Sequence, residues 1–210
     1  MAPVPRHLLS YVVAATISGW TSFVVRFARF PISWRRGGIS DWGNTHLTIV
    51  PYAAGLLATA LFTGLAVRSI PSNDNRFDLH RRLLRANSVL LVGVLLTPPV
   101  VWGHAVGLLH LAISSTLFAT QLVLGLLLYA MVRDNRIGIG AFALQVIGCL
   151  ITLLSLRHVF EALLVGQLMA QCGFGLLLIV GSWRLAAELS GDRRSDSRQT
   201  PGGVLPGRAT

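Results

Sequence analysis

The stretch "HLAISSTLFATQLVLGLLLY", from His110 to Tyr129, contains no Asp, Glu, Lys or Arg. Apolar runs of about 18 residues or more are typical of helices that cross a bilayer. The rest of the chain shares this character, since 53% of its 210 residues are hydrophobic and only 12% are charged. A soluble domain carries about 25% charged residues. Together with a mean hydropathy of +0.63, these values predict an all-α integral membrane protein.

Five further apolar runs accompany this stretch and predict a bundle of six transmembrane helices. The predicted spans are residues 8–28, 46–67, 86–103, 107–131, 137–156 and 161–184. Residues 1–190 are assigned to one six-helix transmembrane domain. The tail from 191 to 210 is rich in Gly, Ser and Arg and has little apolar surface to bury, so it is predicted to be a disordered cytoplasmic tail.

The basic residues predict the orientation of the bundle. All 18 are Arg, and 13 of them fall in segments that are cytoplasmic if the N-terminus is inside. Arg collects in cytoplasmic loops, so both termini are predicted to be cytoplasmic in a multi-pass protein of the plasma membrane. This topology accounts for the net charge of +10, and no nucleic-acid partner is predicted. The absence of Lys fits the GC-rich coding of some bacteria.

The second cytoplasmic loop, "NDNRFDLHRRLLR", interleaves basic and apolar residues. This pattern predicts a short interfacial helix on anionic lipid headgroups, because such helices set basic side chains beside apolar ones. A plain cytoplasmic loop that follows the topology rule is the alternative. The proposed headgroup contacts are Arg76, Arg81, Arg82 and Arg85.

The first predicted outer loop contains "GGISDWGNTHLTIVP", from Gly37 to Pro51. Asp41 and Gly43 suit a tight turn, because an Asp side chain bonds nearby backbone and Gly accepts positive φ. An ordered turn before a helix is one interpretation. The other is a structured lid at the outer rim of the bundle, which would bring Asp41 towards His46 or His110.

Four of the six His and two of the eight acids lie at the predicted outer ends of helices. These residues are His46, His104, His110, His158, Asp41 and Glu161. Imidazole and carboxylate groups can hold Zn²⁺, and a metal-bound water could then attack a lipid ester or amide. The sequence contains no His-x-x-x-His pair on one helix, and we therefore predict no cofactor. A zinc ion bound by these four His is the alternative. Polar helix ends without a shared role are the simpler interpretation.

Several polar residues lie within the predicted spans, where they tend to face the bundle interior. His110, Ser114 and Gln121 recur at steps of four and seven and therefore share one helix face. Gln145, Gln167 and Gln171 lie on the last two spans. These side chains are expected to bond across helices, or alternatively to line a cavity for a headgroup or substrate.

The layout of the chain resembles the DRAM-type family of six-span membrane proteins. The resemblance lies in "ISDWG" (Ile39–Gly43), in the small-residue helix "AAGLLATALFTG", in the span that His110 opens, and in "QCGFGLLLIVGSW". The family includes autophagy modulators and a GPI-anchor remodelling factor. The resemblance implies that Ser40, Asp41, Gly43 and His110 are motif positions. The Pro-Glu pair that members often have after this turn is missing from "NTHLTIVP".

Two functions are compatible with these patterns. The first is a non-catalytic membrane protein that binds or organises lipids or supports a membrane partner complex, with homo-oligomerisation left open. The second is an integral-membrane lipid hydrolase or remodelling enzyme at the outer rim. Its candidate catalytic residues are Asp41, His46, His104, His110 and Glu161. The spatial convergence of these side chains would distinguish the two functions.

Overall fold

The computed structural model of the protein describes most of the chain from Gly38 onwards. The described residues are Ser10, Ala14, Ala15, Ser18 and Ile70, together with residues 38–44, 48–68, 75–97 and 104–198. The predicted first span, residues 8–28, therefore lies almost wholly outside the described residues. So do His46, the Pro98–Pro99 pair and the end of the tail.

Within the described part of the chain, five long α-helices follow one another. They are α1 (Ile49–Val67), α2 (Asp78–Leu96), α3 (His104–Val132), α4 (Arg136–Leu156) and α5 (Leu163–Arg198). Two short 3₁₀ helices, Ile39–Asn44 and Asn75–Phe77, precede α1 and α2. Every regular element assigned in these residues is helical, as the composition predicts.

Four of these helices are long and apolar enough to cross a membrane. The qualifying segments are Ile49–Val67, Ala105–Val132, Arg136–Leu156 and Leu163–Leu185. Helices suit the bilayer because each satisfies its own backbone hydrogen bonds where water is absent. The prediction of membrane-compatible helices is confirmed at this level. The count of six spans and the cytoplasmic placement of both termini stay predictions.

The segment predicted to be the second cytoplasmic loop differs from its prediction, because residues 78–85 are the first turns of α2 rather than a separate interfacial helix. Asp78 stabilises this early start. Its Oδ1 lies 3.1 Å from Nη2 of Arg81, and its Oδ2 lies 2.7 Å from Nη2 of Arg82. Pairs three and four residues apart support a helix, and an acid in the first turn complements the helix dipole.

The four Arg predicted to touch headgroups are placed differently from one another. Arg81 is buried beside Asp78, whereas Arg82 and Arg85 are exposed. The side chain of Arg76 lies outside the described residues. Headgroup contact therefore stays a prediction, and the exposed positions suit it better than Arg81 does.

The C-terminal ends of the third and the sixth predicted spans differ from the structure. Helix α2 ends at Leu96 rather than at residue 103, since the residue before a proline is disfavoured in helical conformation. Helix α5 continues through Gly191 to Arg198, where the composition predicts a disordered tail. Residues 199–210 lie outside the described part of the chain.

Helices α4 and α5 approach each other closely along small residues. A Cβ added to Gly148 would meet the backbone of Ala170, and one added to Gly166 would lie 2.6 Å from the backbone nitrogen of Thr152. Small residues allow this approach between membrane helices. The main hydrophobic core draws residues from all five helices, and Leu124 and Leu128 of α3 and Leu177 of α5 are almost completely buried in it.

Candidate functional site

The Ser-Asp-Trp-Gly segment is an ordered 3₁₀ turn that is pinned to α5. The backbone nitrogen of Gly38 donates to Oδ2 of Asp41 at 2.6 Å. The backbone nitrogen of Asp41 donates in turn to the carbonyl oxygen of Gly38 at 3.1 Å. The backbone nitrogen of Ile39 donates to Oε1 of Gln167 at 2.7 Å. The turn is therefore ordered and attached to α5, which is compatible with both interpretations of this segment, and its role as a lid stays a prediction.

A cavity of about 390 Å³ lies beneath this turn, between α3, α4 and α5. Asp41 and Gln167, which meet at the turn, form its polar end, and the further polar residues of its lining include His110, Ser114, Ser115 and Thr152. Its apolar walls include Leu111, Phe118, Leu153, Leu156 and Leu163. We call this space the outer cavity, after the predicted orientation of the bundle.

A smaller cavity of about 90 Å³ adjoins the outer cavity and extends it towards α1. The two share Ser40, Ser114, Phe118 and Gln167 in their walls. The smaller one reaches Tyr52 and Gln171. Polar groups therefore continue from the turn towards the middle of the bundle.

His110 is held by hydrogen bonds that fix the positions of its ring protons. The hydroxyl of Thr97 donates to the carbonyl oxygen of Gly93 at 2.9 Å, so its own oxygen is left to accept. Nδ1 of His110 lies 3.3 Å from that oxygen and is assigned as the donor. In a neutral ring, Nε2 is then an acceptor, and the hydroxyl of Ser114 donates to it at 3.3 Å.

Three glutamines join the helices below the outer cavity. Nε2 of Gln145 on α4 donates to the backbone carbonyl of Gln121 on α3 at 2.9 Å. Nε2 of Gln171 on α5 donates to Oε1 of Gln121 at 2.8 Å. Gln145 is almost completely buried. The predicted cross-helix bonding is confirmed for this glutamine layer, while His110, Ser114 and Gln167 line a cavity, as the alternative predicts.

The rim residues predicted to converge do so only in part. Asp41 and His110 line the outer cavity, but His158 and Glu161, both exposed in the α4–α5 connection, do not. His46 and the side chain of His104 lie outside the described residues. In the part of the chain that the structure describes, no group of three His, Cys, Asp or Glu could hold a metal ion.

Two contributors to the site carry no clear sequence signal. Thr97 is recognisable only as the residue before a proline, and nothing in the sequence links it to His110. Gln167 is recognisable as a polar residue within a span, but its bond to the backbone of Ile39 is a long-range contact. Both contacts depend on how α2 and α5 pack against their neighbours.

No protein-family model, curated protein or solved structure matches the chain. The resemblance to the DRAM-type family therefore stays a prediction from short motifs and helix layout.

Proposed function

We propose that the protein binds a lipid or lipid-like amphiphile in the outer cavity without changing it chemically. The observation that carries this proposal is the cavity of about 390 Å³ itself, which joins a polar end to apolar walls. Small-molecule sites are typically about 300–1,000 Å³ and mostly apolar, with a few polar groups that fix orientation. The outer cavity has both properties.

The surroundings of the outer cavity support a ligand that arrives from the bilayer. Leu111 on α3 and Leu153 on α4 line the cavity and are also 47% and 54% exposed on the outside of the bundle. These exposed lining residues favour access to the cavity from the surface between α3 and α4, which lipid chains would cover in a membrane. The acyl chain of a lipid would then lie between the apolar walls, while the polar headgroup of the same lipid reaches the polar end of the outer cavity.

The polar end supports a headgroup that donates hydrogen bonds. Asp41 uses Oδ2 for the backbone of Gly38, which leaves Oδ1 as an acceptor. Gln167 uses Oε1 for the backbone of Ile39, which leaves its amide nitrogen as a donor. The described lining residues include one carboxylate and no guanidinium. Hydroxyl or amine headgroups fit this set better than a bare phosphate does.

Filling the cavity tests this proposal. Cys149 lines the outer cavity, and its neighbour Leu150 is an exposed residue of the same helix that does not. We expect Cys149→Phe to lower crosslinking to a photoactivatable phosphatidylethanolamine at least several-fold, while the matched control Leu150→Phe leaves it unchanged. Equal crosslinking of the two variants, at equal thermal stability in detergent, would show that the lipid does not occupy the cavity.

A second candidate function, hydrolysis of a lipid ester, is supported by one specific contact. The hydroxyl of Ser114 donates to Nε2 of His110, and Thr97 orients the other side of the ring. A nucleophile, a base and an orienting group in this order are the usual parts of an acyl-transfer site. Ser114 also faces both cavities.

In this reaction Oγ of Ser114 would attack the ester carbonyl carbon and pass its proton to Nε2 of His110. The bond between the carbonyl carbon and the alcohol oxygen would break, and the leaving alcohol would take that proton. A water would then cleave the acyl-serine, again losing a proton to Nε2, which would return it to Ser114. The net reaction converts one ester and one water into an acid and an alcohol.

A fluorophosphonate probe separates hydrolysis from binding, because it labels activated serines covalently. The hydrolase function requires labelling that Ser114→Ala abolishes and that the adjacent cavity residue Ser115→Ala retains. If the wild-type protein is not labelled while lipid crosslinking depends on Cys149, the hydrolase function is rejected and the binding function stands.

A further inference from the structure

The other end of the bundle carries a second site, distinct from the outer cavity. Val132, at the end of α3, lies 22 residues beyond His110, which corresponds to about 33 Å along the helix. The apolar core of a bilayer is about 30 Å thick. A site near Val132 therefore faces the opposite membrane surface from the turn that contains Asp41.

A cavity of about 600 Å³ lies at this end, between the α3–α4 turn and α5. We call it the inner cavity. Its wall includes two basic, one acidic and three apolar side chains, which are Arg136, Arg184, Asp134, Val132, Val180 and Trp183. We propose that the inner cavity binds the phosphate-containing headgroup of an anionic phospholipid. This proposal does not depend on the function of the outer cavity.

Two guanidinium groups line the inner cavity from different elements. Arg136 is the first residue of α4 and is exposed. Arg184 on α5 is held by Asp134, whose Oδ2 lies 3.3 Å from its Nη2, and both side chains are at least half exposed. A guanidinium has five N–H donors, so Arg184 keeps donors beyond this pair. Asp134 thus fixes the position of one cation while Arg136 supplies the other.

The charge balance around the inner cavity stays positive. Arg133 in the turn is also exposed, which gives three guanidinium groups against the carboxylates of Asp134 and of Glu188 one turn further along α5. The start of α4 adds the positive end of a helix dipole, which favours an anion. Asn135 already caps that helix by accepting from the backbone nitrogen of Ile137 at 2.8 Å.

The apolar part of the inner cavity points to a lipid rather than to free phosphate. Trp183 lines the cavity and is 68% exposed. Trp side chains concentrate at the headgroup level of membranes. Val132 and Val180 provide an apolar floor beside it. Basic pockets between transmembrane helices at the cytoplasmic surface are typical sites for anionic headgroups.

Thermal unfolding of the full-length protein in detergent tests this site. A ligand that binds only the folded state raises its melting temperature. We expect phosphatidylglycerol to raise it by about 5 °C, and phosphatidylcholine with the same acyl chains to have a clearly smaller effect. The double variant Arg136→Gln/Arg184→Gln should lose at least half of this rise.

The control is Arg68→Gln/Arg157→Gln, which removes the same charge from two exposed residues that do not line the inner cavity and should keep the full rise. Because loss of the Asp134–Arg184 pair could disturb folding, Trp183→Ala provides a second variant at an exposed position. It should reduce the rise without lowering the melting temperature of the lipid-free protein.

Four results would overturn the proposal. The first is an equal rise with phosphatidylcholine, and the second is an equal rise with inorganic phosphate alone. The third is a loss in Arg68→Gln/Arg157→Gln as large as in Arg136→Gln/Arg184→Gln. The fourth is a full rise in both Arg136→Gln/Arg184→Gln and Trp183→Ala.

Discussion

The two halves of the bundle use the same helices in opposite ways. Towards the 3₁₀ turn, α3, α4 and α5 surround the outer cavity with serines, a histidine and a glutamine. Towards the other end, the same helices fill the space between them with large apolar side chains such as Leu124, Leu128 and Leu177. The glutamine layer of Gln121, Gln145 and Gln171 lies between these halves.

This difference indicates which part of the bundle interior is packed for stability and which part is open to a ligand, since the inner cavity lies at the surface of the filled half, among mostly exposed residues. Protein interiors are normally close-packed, and a void leaves its lining without partner atoms. An outer cavity of about 390 Å³ therefore lowers stability unless something occupies it. The filled half and the glutamine layer supply the rigidity that holds the cavity open.

The largest expected effect comes from opening a cavity in the filled half. Leu177 on α5 is completely buried, whereas Leu153 lines the outer cavity and is 54% exposed. We expect Leu177→Ala to cost about 2–5 kcal/mol of unfolding free energy, as large-to-small core changes do. Leu153→Ala should cost less than about 1 kcal/mol. Thermal unfolding in detergent measures both, and similar losses would contradict the division into a filled and an open half.

The next effect concerns pH and a buried histidine on α2. Burial lowers the pKa of His80 to about 4, from an ordinary value near 6.5. The unfolded chain therefore takes up a proton below pH 6.5 that the folded protein does not accept until about pH 4. Stability should fall across this window as pH decreases, by up to about 3 kcal/mol.

Two variants isolate this effect. His80→Gln should reduce the pH dependence of the melting temperature between pH 6.5 and 4, while His158→Gln, at an exposed position, should leave it unchanged. Asp78 does not interfere in this window. Its hydrogen bond with Arg81 lowers the pKa of its carboxyl, so its contribution is lost only at still lower pH. An unchanged slope in His80→Gln would contradict the assignment.

A smaller effect is expected where α4 and α5 meet. A Cβ at Gly148 would lie 2.6 Å from the carbonyl oxygen of Gly166, whereas one at Gly140 of the same helix would meet nothing within 4 Å. Gly148→Ala should therefore destabilise the protein by about 1–3 kcal/mol through overpacking. Gly140→Ala should be neutral or stabilising by up to about 1 kcal/mol, because Ala favours helix. Equal effects would contradict the close approach of the two helices.

The smallest expected change in stability comes from the turn. Asp41→Asn keeps an oxygen that can accept from the backbone of Gly38 and removes only the charge, so we expect a loss below about 1 kcal/mol. Lipid crosslinking in the outer cavity should nevertheless fall, because the headgroup loses its anionic partner. Wild-type crosslinking in Asp41→Asn would show that the turn is only a brace, and a large loss of stability would show the same.

The amino-acid sequence by itself determined the membrane-compatible helices and most of their ends. Predicted spans 46–67 and 137–156 differ from Ile49–Val67 and Arg136–Leu156 by three residues or fewer at every end. These ends are predictable because they depend on local sequence: an apolar segment in a bilayer must form its backbone hydrogen bonds within the segment, and therefore forms a helix. The start of α2 was missed because it depends on the particular pairs that Asp78 makes with Arg81 and Arg82.

Only the tertiary structure decided which polar side chains work together. Sequence spacing placed His110 and Ser114 on one face, but it could not show that Thr97, the residue after α2, completes their hydrogen bonds or that Gln167 holds the turn. Nor could it show that His158 and Glu161 lie outside the outer cavity. These outcomes depend on the rotation and pairing of helices, which small residues such as Gly148 set through contacts far apart in the chain.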